Sequence, residues 1–227
     1  MMLSGPFSIP TGVGFGAQLA RVVSVQDPDS LARVQVRLLG PDADSEALIW
    51  ARVAVSFAGP NRGAFLIPDV DDEVLVIFIA GDQRAPVVVG GLWNGSQQPP
   101  ESLSGSRVDR WTLTGTNGTR VAIIEQGSGQ EQIVLETPGG VTAKLTDQGG
   151  GKIELKAAGN TFTMDASGVS IKATKVMVTA SEVDVSASIK VKVDAMTAEF
   201  THTVNCLALT TQSVDSKAYT QGVGNLW

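Results

Sequence analysis

WARVAVSFAGPNRGAFLIPDVDDEVLVIFIAGDQRAPVVVGGLWNG, residues 50–95, decides the fold. Its apolar runs are Val53, Val55 and Phe57, then Ala64 to Ile67, Val74 to Ile79, and Val87 to Val89. Gly, Pro, Asn and Asp separate them. Short apolar runs punctuated by turn-forming residues are the pattern of short antiparallel strands closed into a small barrel. Working outward, Leu19 to Val25 and Ala32 to Leu39 are two further strand-like runs, joined by a DPDS turn at Asp27 to Ser30. Ahead of them, residues 1–16 are rich in Gly and Pro and read as an extended arm.

Composition agrees with β-structure. The chain has 227 residues, a soft prior for one or two domains, and 43% of them are hydrophobic, enough for a packed core. Aromatics make up only 5% against 25 glycines, with Val, Ile, Ala, Thr and Ser supplying most of the rest. The longest apolar run, Val74 to Ala80, is far short of the ~20 residues a membrane helix needs. The start, MMLSGPFSIP, has no basic segment and no uninterrupted apolar core, so no signal peptide is expected. A net charge of −6 argues against a phosphate-binding stripe and against docking on anionic lipid. Cys206 is the sole cysteine, which excludes a disulfide within the chain.

Residues 96–110 form a polar linker, after which the grammar changes. Strands are expected at Arg120 to Ile124, Gln132 to Glu136, Thr142 to Leu145, Lys152 to Lys156 and Thr161 to Met164. From Val169 a seven-residue repeat emerges, VSIKATK, VMVTASE and VDVSASI. Its apolar positions are Val169/Ile171/Ala173, Val176/Val178/Ala180 and Val183/Val185/Ala187. On a helix these offsets fall at roughly 0°, 200° and 40°, which is not one face. On a strand all three point the same way, and Val, Ile, Ser and Thr favour strand, so a coiled coil is rejected.

A narrow ribbon with one apolar face cannot bury that face alone and leaves its edges open. A repeat of seven residues is also too short for a coil of a single-chain β-helix, which needs roughly 20 residues or more. Three chains wound about a threefold axis solve both problems, each supplying one side of a triangular prism. The expected state is an obligate homotrimer.

The motifs carry a resemblance as well. Trp50-x-Arg52-Val53, Arg62-Gly63 with Pro68, Asp72-Glu73-Val74-x-Val76-x-Phe78, Gly81-Asp82, Pro86-Val87-Val88-x-Gly90 and Leu92-Trp93-Asn94-Gly95 follow in order. This series resembles the OB-fold of the phage baseplate assembly protein V and VgrG group, the central spike proteins of contractile injection machines. The fold expectation is therefore all-β: an N-terminal arm (1–16), an OB-fold barrel (17–95), a linker (96–110) and an intertwined trimeric β-helix, the triangular prism, over 111–227. Some relatives carry an inserted lytic domain at the junction, and the linker here is too short to hold one. A chain without the hub-like portion that VgrG proteins carry in front of the barrel is expected, so the resemblance implies a shorter, phage-type spike that needs a separate hub protein. It further implies a tip-capping PAAR-like partner, contact with the target cell envelope, and a place in the baseplate of a virion or injection particle.

Candidate sites are few. His202 is the only histidine and shares inward parity with Met196, Ala198, Phe200, Val204 and Cys206. A trimer would bring three imidazoles together on its axis, where they could hold a metal ion or, protonated, an anion. The competing reading is a polar layer satisfied by water or Thr hydroxyls. Related spikes often carry a His-x-His iron site at the apex, whereas Thr201 and Thr203 flank His202 and no second His stands two residues away. Cys206 reads as a small core residue. The cluster Asp69, Asp71, Asp72 and Glu73 lacks the ligand spacing of a calcium loop and reads as a solvated turn, at which relatives more usually place Gly in the position of Asp71. Gly12 to Gly16 is no phosphate loop, for no strand precedes it and no helix follows. Leu226 and Trp227, at the chain end, could plug the prism or dock a tip partner, against the alternative of a frayed tail.

A mechanical spike is thus expected, with no enzymatic activity and no resident cofactor beyond the axial metal just weighed. A β-helical polysaccharide-degrading enzyme of a tail would need clustered carboxylates in a groove, and a single inward His makes a Ser-His-acid triad untenable. A nucleic-acid-binding OB protein would need basic residues interleaved with aromatics, whereas this barrel is acidic.

Overall fold

The computed structural model describes residues 16–40 and 48–213. The chain divides between Thr174 and Lys175 into two compact units. In the first, strands β1 (Gln18–Ser24), β2 (Val34–Leu38), β3 (Leu48–Val53), β6 (Glu73–Phe78) and β7 (Pro86–Leu92) close into a barrel in the order β1-β2-β3-β7-β6. Two short strands, β4 (Ala58–Gly59) and β5 (Arg62–Gly63), form a separate hairpin between β3 and β6. The N-terminal barrel is thus as expected from the sequence.

Period-2 alternation sends Ala20 and Val22, Val34 and Val36, Ala51, Val74, Val76 and Phe78, and Val88 into the core, all fully or nearly fully buried. Two details depart from the sequence reading. First, β3 and β7 run parallel, with Arg52 opposite Val87 and Val53 opposite Val88, while the other neighbouring pairs of the barrel are antiparallel. A closed ring with an odd number of strands cannot alternate direction all the way round, so one parallel pair is forced by closure. Second, the run Ala64 to Ile67 is not a strand. Ile67 packs on the core from a loop, while Phe65 and Leu66 are exposed.

The turns hold themselves. The Asp27 carboxylate accepts hydrogen bonds from the backbone N–H groups of Asp29, Leu31 and Arg33 and from the Arg33 guanidinium. That guanidinium keeps the Asp27 carboxyl well below the usual carboxylate range, and it also lies 5.7 Å from the centre of the Trp50 ring. The acidic cluster is a turn, as read: Asp72 donates its N–H to the Asp69 carbonyl, and the Asp72 carboxylate accepts from the Asp69 N–H at 2.8 Å. Asp71 sits at φ 72°, the left-handed region that favours glycine. This explains why Gly suits that position.

The rest of the first unit is a seven-stranded antiparallel meander in chain order: β8 (Arg110–Thr114), β9 (Arg120–Glu125), β10 (Glu131–Glu136), β11 (Thr142–Thr146), β12 (Lys152–Ala157), β13 (Asn160–Asp165) and β14 (Gly168–Lys172). Turn glycines such as Gly118 and Gly140 adopt positive φ, 84° and 78°. The first repeat unit, VSIKATK, opens inside β14, where Val169 and Ile171 pair with Met164 and Phe162. It is the last strand of the meander rather than part of a separate ribbon. Beyond Lys172 no strand forms among the described residues, and Val178 and Val185 are 70% and 73% exposed. With seven residues per repeat the chain has no length in which to turn and pair with itself.

Candidate functional site

Each strand of the meander carries two apolar residues at i and i+2, and the pairing register aligns them. One row runs Leu113–Val121–Leu135–Ala143–Leu155–Phe162–Ile171. The next runs Trp111–Ile123–Ile133–Leu145–Ile153–Met164–Val169. Both rows cross the whole sheet on the same face, because residues two apart in a strand point the same way. Most of these side chains are 37–60% exposed. Part of the face is concave, a groove of about 720 Å³ whose wall includes Val121, Leu135, Leu155, Phe162 and Ile171.

The opposite face is polar over its later strands. There Lys144, Glu154, Thr163 and Ser170 form a row, and Glu154 bridges Lys152 at 2.8 Å and Lys156 at 2.7 Å. Those two ammonium groups hold its carboxyl down at about 2. Two lysines on one carboxylate leave this face satisfied and wet, so the unmet demand of the sheet lies on the apolar side. A continuous exposed apolar face is the kind of surface that marks interaction sites.

The segment after the barrel is strapped to both neighbours. Asn94 Nδ2 donates to Glu73 Oε2 at 2.9 Å, and Gln97 Nε2 donates to the Asp71 carbonyl at 3.1 Å. Glu101 accepts from Arg110 Nη1 at 3.0 Å and Arg120 Nε at 2.8 Å, and Arg110 also pairs with Asp109. The Arg110 and Arg120 hydrogen bonds lower the Glu101 carboxyl.

Among the described residues, those singled out from the sequence form no common site in one chain. His202 is exposed in the second unit. No group of three or more His, Cys, Asp or Glu that could hold a metal forms among the described residues of one chain. Cys206 is exposed in the single chain, so its expected place in a core requires partner chains. Leu226 and Trp227 lie outside the described residues. The residues that make the apolar face, Trp111 and Leu113 above all, were not singled out, although the apolar i, i+2 pair recurs visibly in each strand.

Comparison with known proteins places these elements. The family described as the type VI secretion system/phage-baseplate injector OB domain matches residues 18–93, the barrel. The phage baseplate V C-terminal trimerisation domain matches residues 132–197, from the meander into the repeat. The type VI secretion system spike protein VgrG3 of Vibrio cholerae is 29% identical over 130 residues, 53% of this chain and 13% of that protein. VgrG5 and VgrG1c, spike proteins of Pseudomonas aeruginosa, are 35% and 32% identical over 47% and 42% of this chain, and 14% of each relative is covered. This chain therefore spans only a small part of the length of the relatives it matches. With an injector OB domain closing the barrel and a trimerisation domain beginning on the sheet that bears the apolar rows, the chain belongs to the baseplate V/VgrG-type group of spike proteins.

Proposed function

We propose that this protein is the structural central spike of a contractile injection machine, assembled as a homotrimer. Three meanders turn their apolar rows toward a common axis, and the repeat from Val176 onward continues as the intertwined β-helix, each strand edge paired to a neighbouring chain. The single observation that carries this reading is the pair of unbroken apolar rows across seven strands. The barrel docks on a baseplate hub protein, and the prism is driven through the target envelope, with a PAAR-like cap seated at its tip. Its work is mechanical rather than catalytic: interchain hydrogen bonds and a dry axial core give a shaft stiff enough to transmit force. It resides in the baseplate of the particle.

The test is the mass in solution by light scattering, together with resistance of the oligomer to SDS. Three times the chain mass, retained through mild heating, is the expected result. A monomer with one cooperative unfolding transition would overturn the trimeric spike.

A further inference from the structure

The outer wall of the barrel is divided. Along β2 and β3 it mixes charge with apolar side chains: Gln35 stands opposite Trp50, Arg37 opposite Leu48, and Arg52 shares their side. Along β1, β6 and β7 it presents an uncharged apolar strip, in which Leu19 pairs with Leu75, Leu75 with Gly90, and Ile77 with Val87. Leu19, Ile77 and Val89 are 42%, 37% and 40% exposed. A charged row, Arg37–Arg21–Glu73, bounds the strip on one side. An apolar centre with a charged rim is the anatomy of a protein interface.

Gly90 marks the middle of the strip. It stands beside Val89, the extra residue of a β-bulge where the register with β6 shifts between Leu75 and Val76, and a Cβ built on it would meet nothing within 4 Å. Side-chain space therefore does not demand glycine there, and the bare backbone at the bulge leaves a flat spot on the strip.

We infer that this β1–β6–β7 face is a barrel-to-barrel contact between copies of this chain, an inference that rests on the trimeric reading above. Three observations select a second copy as the occupant. Barrel and meander belong to one compact unit, tied by Asn94–Glu73, Gln97–Asp71 and the Glu101 bridges. Trimerising the meanders therefore gathers three barrels at an effective concentration on the order of millimolar. Each copy carries a net charge of −6, so identical barrels meet with least repulsion where the surface is uncharged. Beside that charged row, the strip's strand β7 also borders the meander, since Leu92, opposite Glu73, and Trp93 line a groove with Glu73, Thr114, Gly115 and Thr116.

The experiment places a single cysteine at Leu19→Cys, Ile77→Cys or, as control, Arg37→Cys, each in a Cys206→Ser background, and follows maleimide labelling of the native particle. Labelling at positions 19 and 77 is expected to be about tenfold slower than at 37, as for groups reached only by local opening. Adding Gly90→Lys should restore fast labelling at position 19 while the thermal unfolding of the barrel is retained. Equal rates at all three positions in a particle of three times the chain mass would overturn this contact and leave the trimer standing. Protection that appears only when a separate baseplate protein is added would assign the face to that protein and overturn it too. A particle of single-chain mass would overturn the trimer itself, and this contact with it.

Discussion

Leu155→Asp probes the apolar face at its middle, where Leu155 stands in register between Ala143 and Phe162. In the single chain Leu155 remains 45% exposed. Fully burying a leucine contributes about 1.5–3 kcal/mol, so covering the remaining 45% is worth about 1 kcal/mol per chain. Symmetry triples this to about 3 kcal/mol per trimer, a weakening of assembly by about a hundredfold from lost burial alone. The introduced carboxylate must also be desolvated at three equivalent places, which adds several kcal/mol more. Sedimentation or light scattering over a dilution series reads the dissociation, and far-ultraviolet circular dichroism reports retained strand content. Ser170→Asp, in the polar row with Glu154 and Thr163, is the matched control and should dissociate as the wild type does. Identical dilution curves for Leu155→Asp and the wild type, or equal damage from Ser170→Asp, would refute the assignment of the inner face.

Other expectations follow from the same geometry. Val178→Asp, in the repeat, should cost the trimer several kcal/mol by gathering three like charges, and is read as loss of the SDS-resistant band, while Lys175→Ala should leave that band intact. The Glu154 carboxyl is depressed to about 2, so the stability it contributes is present in full above the ordinary value near 4.5 and is lost as pH falls toward 2. Glu154→Gln should flatten that acid limb of the stability curve, measured by urea unfolding at stepped pH. Glu101→Gln breaks the bridges to Arg110 and Arg120, with an expected loss of about 1–3 kcal/mol and faster limited proteolysis between residues 95 and 109. Unchanged cleavage there would remove the strap from the account. Each chain offers one imidazole at His202, flanked by Thr, so elemental analysis of the trimer should find well under one metal ion per three chains. Near-stoichiometric iron or zinc that disappears in His202→Ala would make His202 a ligand.

Much of the molecule is legible in its residues because alternation and turn chemistry are local. Val74, Val76 and Phe78 announce one buried face, and Asp27-Pro28-Asp29-Ser30 announces a turn, since a strand has period 2 and these residues favour bends. The i, i+2 apolar pairs of the second half, from Trp111/Leu113 to Val169/Ile171, determine that each strand has one apolar side. What they leave open is which residue stands beside which. The tertiary structure decides that through the turns, whose lengths set the register and bring seven separate pairs into two continuous rows. It also decides the parallel β3–β7 pair, a consequence of closing five strands into a ring, and the Glu101–Arg110–Arg120 cluster, whose members are up to nineteen residues apart. Alternation is a property of one strand, whereas register, closure and the strap are properties of several strands at once.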